Sequence, residues 1–95
     1  MDKEKIVAHM HKRIDKASRK IDELKLQTHL AKADARVSYE EHIRSLDDQR
    51  DKLRDEIHRL QHLTSDAWED VAEGCKNSWV ELKTSLQKAT DEFKS

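Results

Sequence analysis

The chain is predicted to be all-α, a long helix followed by a shorter one in a helical hairpin that packs into an intermolecular helical bundle. Three observations carry that expectation. Residues 5–61 contain neither proline nor glycine. Through the same stretch Ile6, Met10, Ile14, Ala17, Ile21, Leu24, Thr28, Ala31, Ala35, Tyr39, Ile43, Leu46, Arg50, Leu53, Ile57 and Leu60 recur at a mean spacing of 3.6 residues, the period of a straight α-helix. A coiled-coil seam averages about 3.5, so strong supercoiling is not expected. Charged residues make up 41% of the 95 positions against 35% hydrophobic and 4% aromatic, which suits long helices with a narrow apolar stripe rather than one compact core.

High polarity alone would suggest disorder, but 19 basic residues against 20 acidic ones leave almost no net charge, and the apolar positions are periodic. Within the first helix, expected over 3–62, Glu40 and Arg44, Asp48 and Lys52, and Asp55 and Arg59 stand at i,i+4 with the acid first. Each such pair supports a helix by about 0.2–0.5 kcal/mol. In its middle Thr28, Ala31 and Ala35 are small, which reads as a thin centre where two helices cross, with a hinge or a client groove as the alternative. Arg50 is the one charge on the stripe.

A boundary falls at 63–66, Leu63-Thr64-Ser65-Asp66, where three consecutive good N-cap residues precede a new apolar pattern. Asp66 with Glu69 resembles a capping box. One helix running straight through is the alternative. The second helix, expected over 66–93, carries Trp68, Ala72, Cys75, Trp79, Leu82, Leu86, Ala89 and Phe93 at alternating steps of four and three, a heptad seam. Gly74 within it reads as a small packing position or a local kink.

A first helix near 60 residues would be about 90 Å long and the second about 42 Å, so folding back covers only half of the first. The uncovered Ile6, Met10, Ile14, Ile21 and Leu24 then require a partner. Residues 1–36 carry ten Lys/Arg and six Asp/Glu, and residues 63–95 carry four and seven. An antiparallel homodimer satisfies both demands, with a three-helix bundle at each end and Trp68, Trp79, Leu82, Leu86 and Phe93 anchored against Leu46, Leu53, Ile57 and Leu60. A trimer or tetramer would bury the same stripes.

Catalysis is not expected: no glycine-rich loop, no nucleophile with an ordered base and no defensible pair of acid–base carboxylates is present. No cofactor is implied. Of six histidines, His9, His11, His29, His42, His58 and His62, only His58 and His62 have ligand-like spacing. They lack a completing Cys or acid, so solvent-facing imidazoles are the simpler reading. Cys75 reads as a small buried thiol on the seam, and a single cysteine agrees with a reducing compartment. Lys12, Arg13, Lys16, Arg19, Lys20 and Lys25 cluster within 14 residues, but Asp15, Asp22 and Glu23 dilute them and no aromatic lies in that stretch for base stacking, so nucleic acid is a weak alternative partner. Membrane binding through Trp68, Trp79 and Phe93 is disfavoured by the acidity of the second helix. The first residues lack the apolar run of a secretory signal, and a cytoplasmic location is expected.

The segments Ala67-Trp68-Glu69-Asp70-Val71, Ser78-Trp79-Val80-Glu81-Leu82-Lys83 and Leu86-Gln87-Lys88-Ala89 resemble the C-terminal half of a family of small bacterial coiled-coil stress-response proteins. In that family an Ala-Trp-Glu element recurs about eleven residues later as Trp-x-Glu-Leu. The stretch from Ala31 to Glu40 is similar to the family's central Ala/Lys/Tyr-Glu segment. The histidines and Cys75 stand outside the pattern, and Thr64-Ser65-Asp66 replaces the glycine expected before the tail. The resemblance implies a stress-linked accessory role, with no catalytic residues to carry over and no defined molecular activity. Together these readings describe a non-enzymatic, self-associating scaffold or adaptor, with a metal-responsive protein using His58 and His62 as the alternative.

Overall fold

The computed structural model describes residues 3–64 and 66–94, and these form three helices: α1 (Lys3–Leu30), α2 (Ala33–His62) and α3 (Trp68–Lys94). No strand occurs among the described residues. The fold class is all-α. No helix of the described residues is long and apolar enough to cross a membrane. The helices run up, down and up, each packed on the other two, in a bundle 50 × 17 × 17 Å. At one end the Lys3 ammonium donates to the Leu63 carbonyl at 2.7 Å, and Ile6 lies beside Trp68 and Ala72. At the other end the Tyr39 and Phe93 rings stack with centroids 3.9 Å apart.

The helix expected over 3–62 is interrupted in its middle. Residue Ala31 closes α1 with a short bond from its N–H to the Thr28 carbonyl, 3.2 Å. Lys32 is extended at φ −65°, ψ 152°, and its carbonyl accepts from Ala35 and Arg36 to start α2. The Arg36 guanidinium donates back to the Ala31 carbonyl at 3.1 Å. The reason for the break is tertiary. Interrupting a helix forfeits a few backbone hydrogen bonds, each worth about 0.5–1.5 kcal/mol net. Folding α1 back buries Val7, Met10, Ile14, Ile21 and Leu24 against α2 and α3, and large apolar side chains gain about 1.5–3 kcal/mol each on burial. The stripe expected to require a second chain is therefore covered within one, and the single compact core that the polar composition argues against is present.

That core also holds Ala17 from α1, Leu46, Leu53, Ile57 and Leu60 from α2, and Ala72, Cys75, Leu82, Leu86 and Ala89 from α3. Ile6, Ile43, Trp68, Trp79 and Phe93 pack on it half-buried. Near the start of α1 Val7, which the 3.6-residue stepping passes over, takes the inward place. Helix α3 begins at Trp68, two residues after the position suggested by Asp66, with the Ala67 carbonyl accepting from Asp70 and Val71. Ser65, in the proposed N-cap run, lies outside the described residues. Helix α3 is unbroken at Gly74, where a Cβ would meet Glu56 Oε2 at 3.5 Å.

The heptad seam of α3 splits at Ser78 and Trp79 because the helix sits in the groove between two others. Ser78 is buried toward α2, its hydroxyl 2.9 Å from both carboxylate oxygens of Glu56. Trp79 leans the other way, toward α1. Arg50, the charge on the α2 stripe, stays at the seam edge with its guanidinium 3.3 Å from Asp47 and 3.4 Å from Asp51. Asp47 in turn reaches Lys25 of α1 at 3.3 Å.

Partial burial sets Trp79 below the fully enclosed leucines in what it contributes to stability. Leu53, 0% exposed, costs about 3–5 kcal/mol when cut to Ala, whereas Trp79→Ala costs about 2 kcal/mol. Equilibrium urea unfolding of the two variants checks the order.

Candidate functional site

The histidines are set by the faces of α1 and α2. His58 and His62, one turn apart on the outer side of α2, bring their rings to 4.4 Å between centroids, edge to face, and both are exposed. Among the described residues no group of three or more His, Cys, Asp or Glu could hold a metal. His9, His11 and His29 are exposed on α1. His42 is half-buried on α2, its Nε2 against the Glu92 carboxylate of α3.

The buried polar chemistry is concentrated between α2 and α3. Cys75 is fully buried, and its thiol is pushed from about 9 up to about 11, first by burial and then by the Glu56 carboxylate. Both effects oppose the thiolate that nucleophilic or redox chemistry needs. Glu56 is half-buried and engaged by the Ser78 hydroxyl, which makes it a structural acceptor.

Two surface features carry more. Between α1 and α3 a shallow groove of about 410 Å³ is lined by Lys16, Ala17, Arg19, Lys20, Glu23, Trp79 and Leu86, and the Arg13 guanidinium lies 5.6 Å from the Trp79 ring centroid. Trp79 thus stands beside the basic stretch, which has no aromatic of its own. Only the α1–α3 register reveals this, and no local spacing signals it. At the α1–α2 turn a second groove of about 570 Å³ is lined by Leu30, Ala31, Ala35, Tyr39 and Phe93 together with Gln27, Lys32, Asp34 and Lys94. Leu30 is 79% exposed, and Leu26, one turn earlier on the same face, is 61% exposed; Val37, early in α2, is 64% exposed. Exposed apolar side chains are thus gathered at one end of a polar bundle. Leu26, Leu30 and Val37 lie off the 3.6-residue stripe, so the periodicity that finds the core passes over them.

No protein-family model matches the chain, and neither a curated protein nor a solved structure matches it.

Two outcomes test this chemistry. Native Cys75 should alkylate with iodoacetamide at pH 8 about a hundredfold more slowly than in the urea-unfolded chain, because the thiolate is scarce and enclosed; quenched mass spectrometry reads the two rates. Gly74→Ala should raise stability by about 0.5–1 kcal/mol, since the added methyl meets only the end of Glu56, and thermal unfolding reads the gain.

Proposed function

We propose that the chain is a non-enzymatic, self-associating helical scaffold that works by contact through the apolar end of its bundle. The observation that carries this is the exposure of Leu26 and Leu30 beside the groove holding Tyr39 and Phe93. Apolar surface of that kind gains free energy only when covered. A second copy is the partner, in an antiparallel dimer whose two-fold symmetry lets the apolar ends of the two chains cover one another. The resemblance to bacterial coiled-coil stress-response proteins gives the scaffold a stress-linked setting.

Sedimentation equilibrium of the wild type and of a Leu26→Glu/Leu30→Glu variant tests the reading. Both sites face solvent, so the variant keeps its helix content. The wild type associates with rising concentration and the variant stays monomeric; identical masses for the two contradict the reading.

A second reading has its own observation, the juxtaposition of Trp79 with Lys16, Arg19 and Lys20. An aromatic in a basic groove suits a single-stranded nucleic acid. Fluorescence anisotropy with labelled oligothymidylate checks it: binding that weakens with salt and is lost in Trp79→Leu supports it, and no binding at low salt removes it.

A further inference from the structure

The connection between α1 and α2 is unusual for a turn. It is two residues long, Ala31 and Lys32, and the run Leu30-Ala31-Lys32-Ala33 is made of strong helix formers. The N-cap position of α2 is Lys32, whose side chain makes no cap hydrogen bond, where Ser, Thr, Asp or Asn would be usual. Neither glycine nor proline enforces the break, and the side chain that caps it, Arg36 on the Ala31 carbonyl, is an exposed one. Helical phase is kept across it as well: Thr28 and Leu46, both buried, are 18 residues apart, five full turns of an unbroken helix. A chain that only ever turned here would have no need of that phase.

We propose that the Ala31 and Lys32 turn is an exchange hinge, and that two copies of the chain associate by straightening it and swapping α1. This rests on the self-association read above and specifies how it occurs. In the exchanged dimer α1 and α2 of each chain form one helix, and α1 docks on α2 and α3 of the other copy, so every α1 contact of the closed bundle is remade between chains. Lys25 with Asp47 and Lys3 with Leu63 pair α1 with α2 antiparallel. The same pairing between copies places the two-fold axis close to residues 33–36. There the two long helices cross at Thr28, Ala31 and Ala35, small enough for close approach. The groove lined by Leu30, Ala31, Ala35, Tyr39 and Phe93 lies at that crossing and is covered by the second copy. Short hinge connections invite exchange of the element they join.

The substitution that separates the two states is Ala33→Pro. Ala33 is the first residue of α2, where proline is well accommodated because its missing N–H has no intrahelical acceptor. Lys32 already holds the extended conformation required before proline. The closed bundle keeps its fold. In the straightened helix the same proline removes a backbone bond and clashes with the preceding turn, once in each chain, and the association constant falls by about a thousandfold or more.

Light and heavy-isotope chains are unfolded together, refolded at about 1 mM to drive mass action, separated by size and treated with a carbodiimide that links Lys25 to Asp47. The expected result is a dimer fraction containing mixed light–heavy Lys25–Asp47 cross-links, with the dimer lost in Ala33→Pro while its helix content and monomer melting persist. A dimer whose cross-links are all of one isotope, or one that survives in Ala33→Pro, overturns the exchange and leaves self-association standing. A wild type that stays monomeric throughout overturns both.

Discussion

Everything in this molecule follows from the need to cover one apolar stripe on α1. Met10, Ile14, Ala17, Ile21 and Leu24 are each at most 5% exposed, and an isolated helix bearing them would present a continuous strip of hydrocarbon to water. Two surfaces from α2 and α3 close over it. Because helices α2 and α3 meet along a face that holds the Ser78–Glu56 bond, they form a groove, and α1 completes a core that a two-helix hairpin would leave half open. The polar composition does not prevent this, since three narrow stripes facing one axis need few apolar residues per helix.

How much of this the sequence discloses depends on whether the deciding force is local. The stripe positions are legible because burial imposes a period, and Ile6, Met10, Ile14, Ile21, Leu24, Leu46, Leu53, Ile57, Leu60, Leu82 and Leu86 all lie in or against the core. The turn at Ala31 and Lys32 is legible only as the hinge that small Thr28, Ala31 and Ala35 offer as an alternative, because every residue from Leu30 to Ala33 favours helix and the break is made by distant packing. Trp79 shows the same limit on a smaller scale. Heptad spacing puts it on the seam, but a helix between two neighbours divides that seam, and Ser78 takes the inner place. The groove of Trp79 with Lys16 and Lys20, and the apolar end formed by Leu30, Tyr39 and Phe93, each combine residues from separate helices. Neither has a signature along the chain.

The same contrast separates the chemistry from the contacts. Cys75, Glu56 and Ser78 sit between α2 and α3 in an arrangement that holds the thiol protonated and the carboxylate occupied, a packing role rather than a reactive one. His58 and His62 are paired but lie on the outer face of α2. What faces outward is apolar surface at the end where α1 meets α2, from Leu26, Leu30 and Val37, and the basic stretch along the middle of α1. The apolar side chains sit where the connection between helices is least fixed by its own residues.

Small-angle X-ray scattering from the dilute chain tests the closed core most directly. A bundle closed within one chain gives a radius of gyration near the 15.2 Å of its Cα atoms, raised slightly by side chains and hydration, and a longest dimension little beyond 50 Å. A longest dimension of about 90 Å at the same dilution, the length of an unbroken helix of some 60 residues, would contradict the return of α1 onto its own chain.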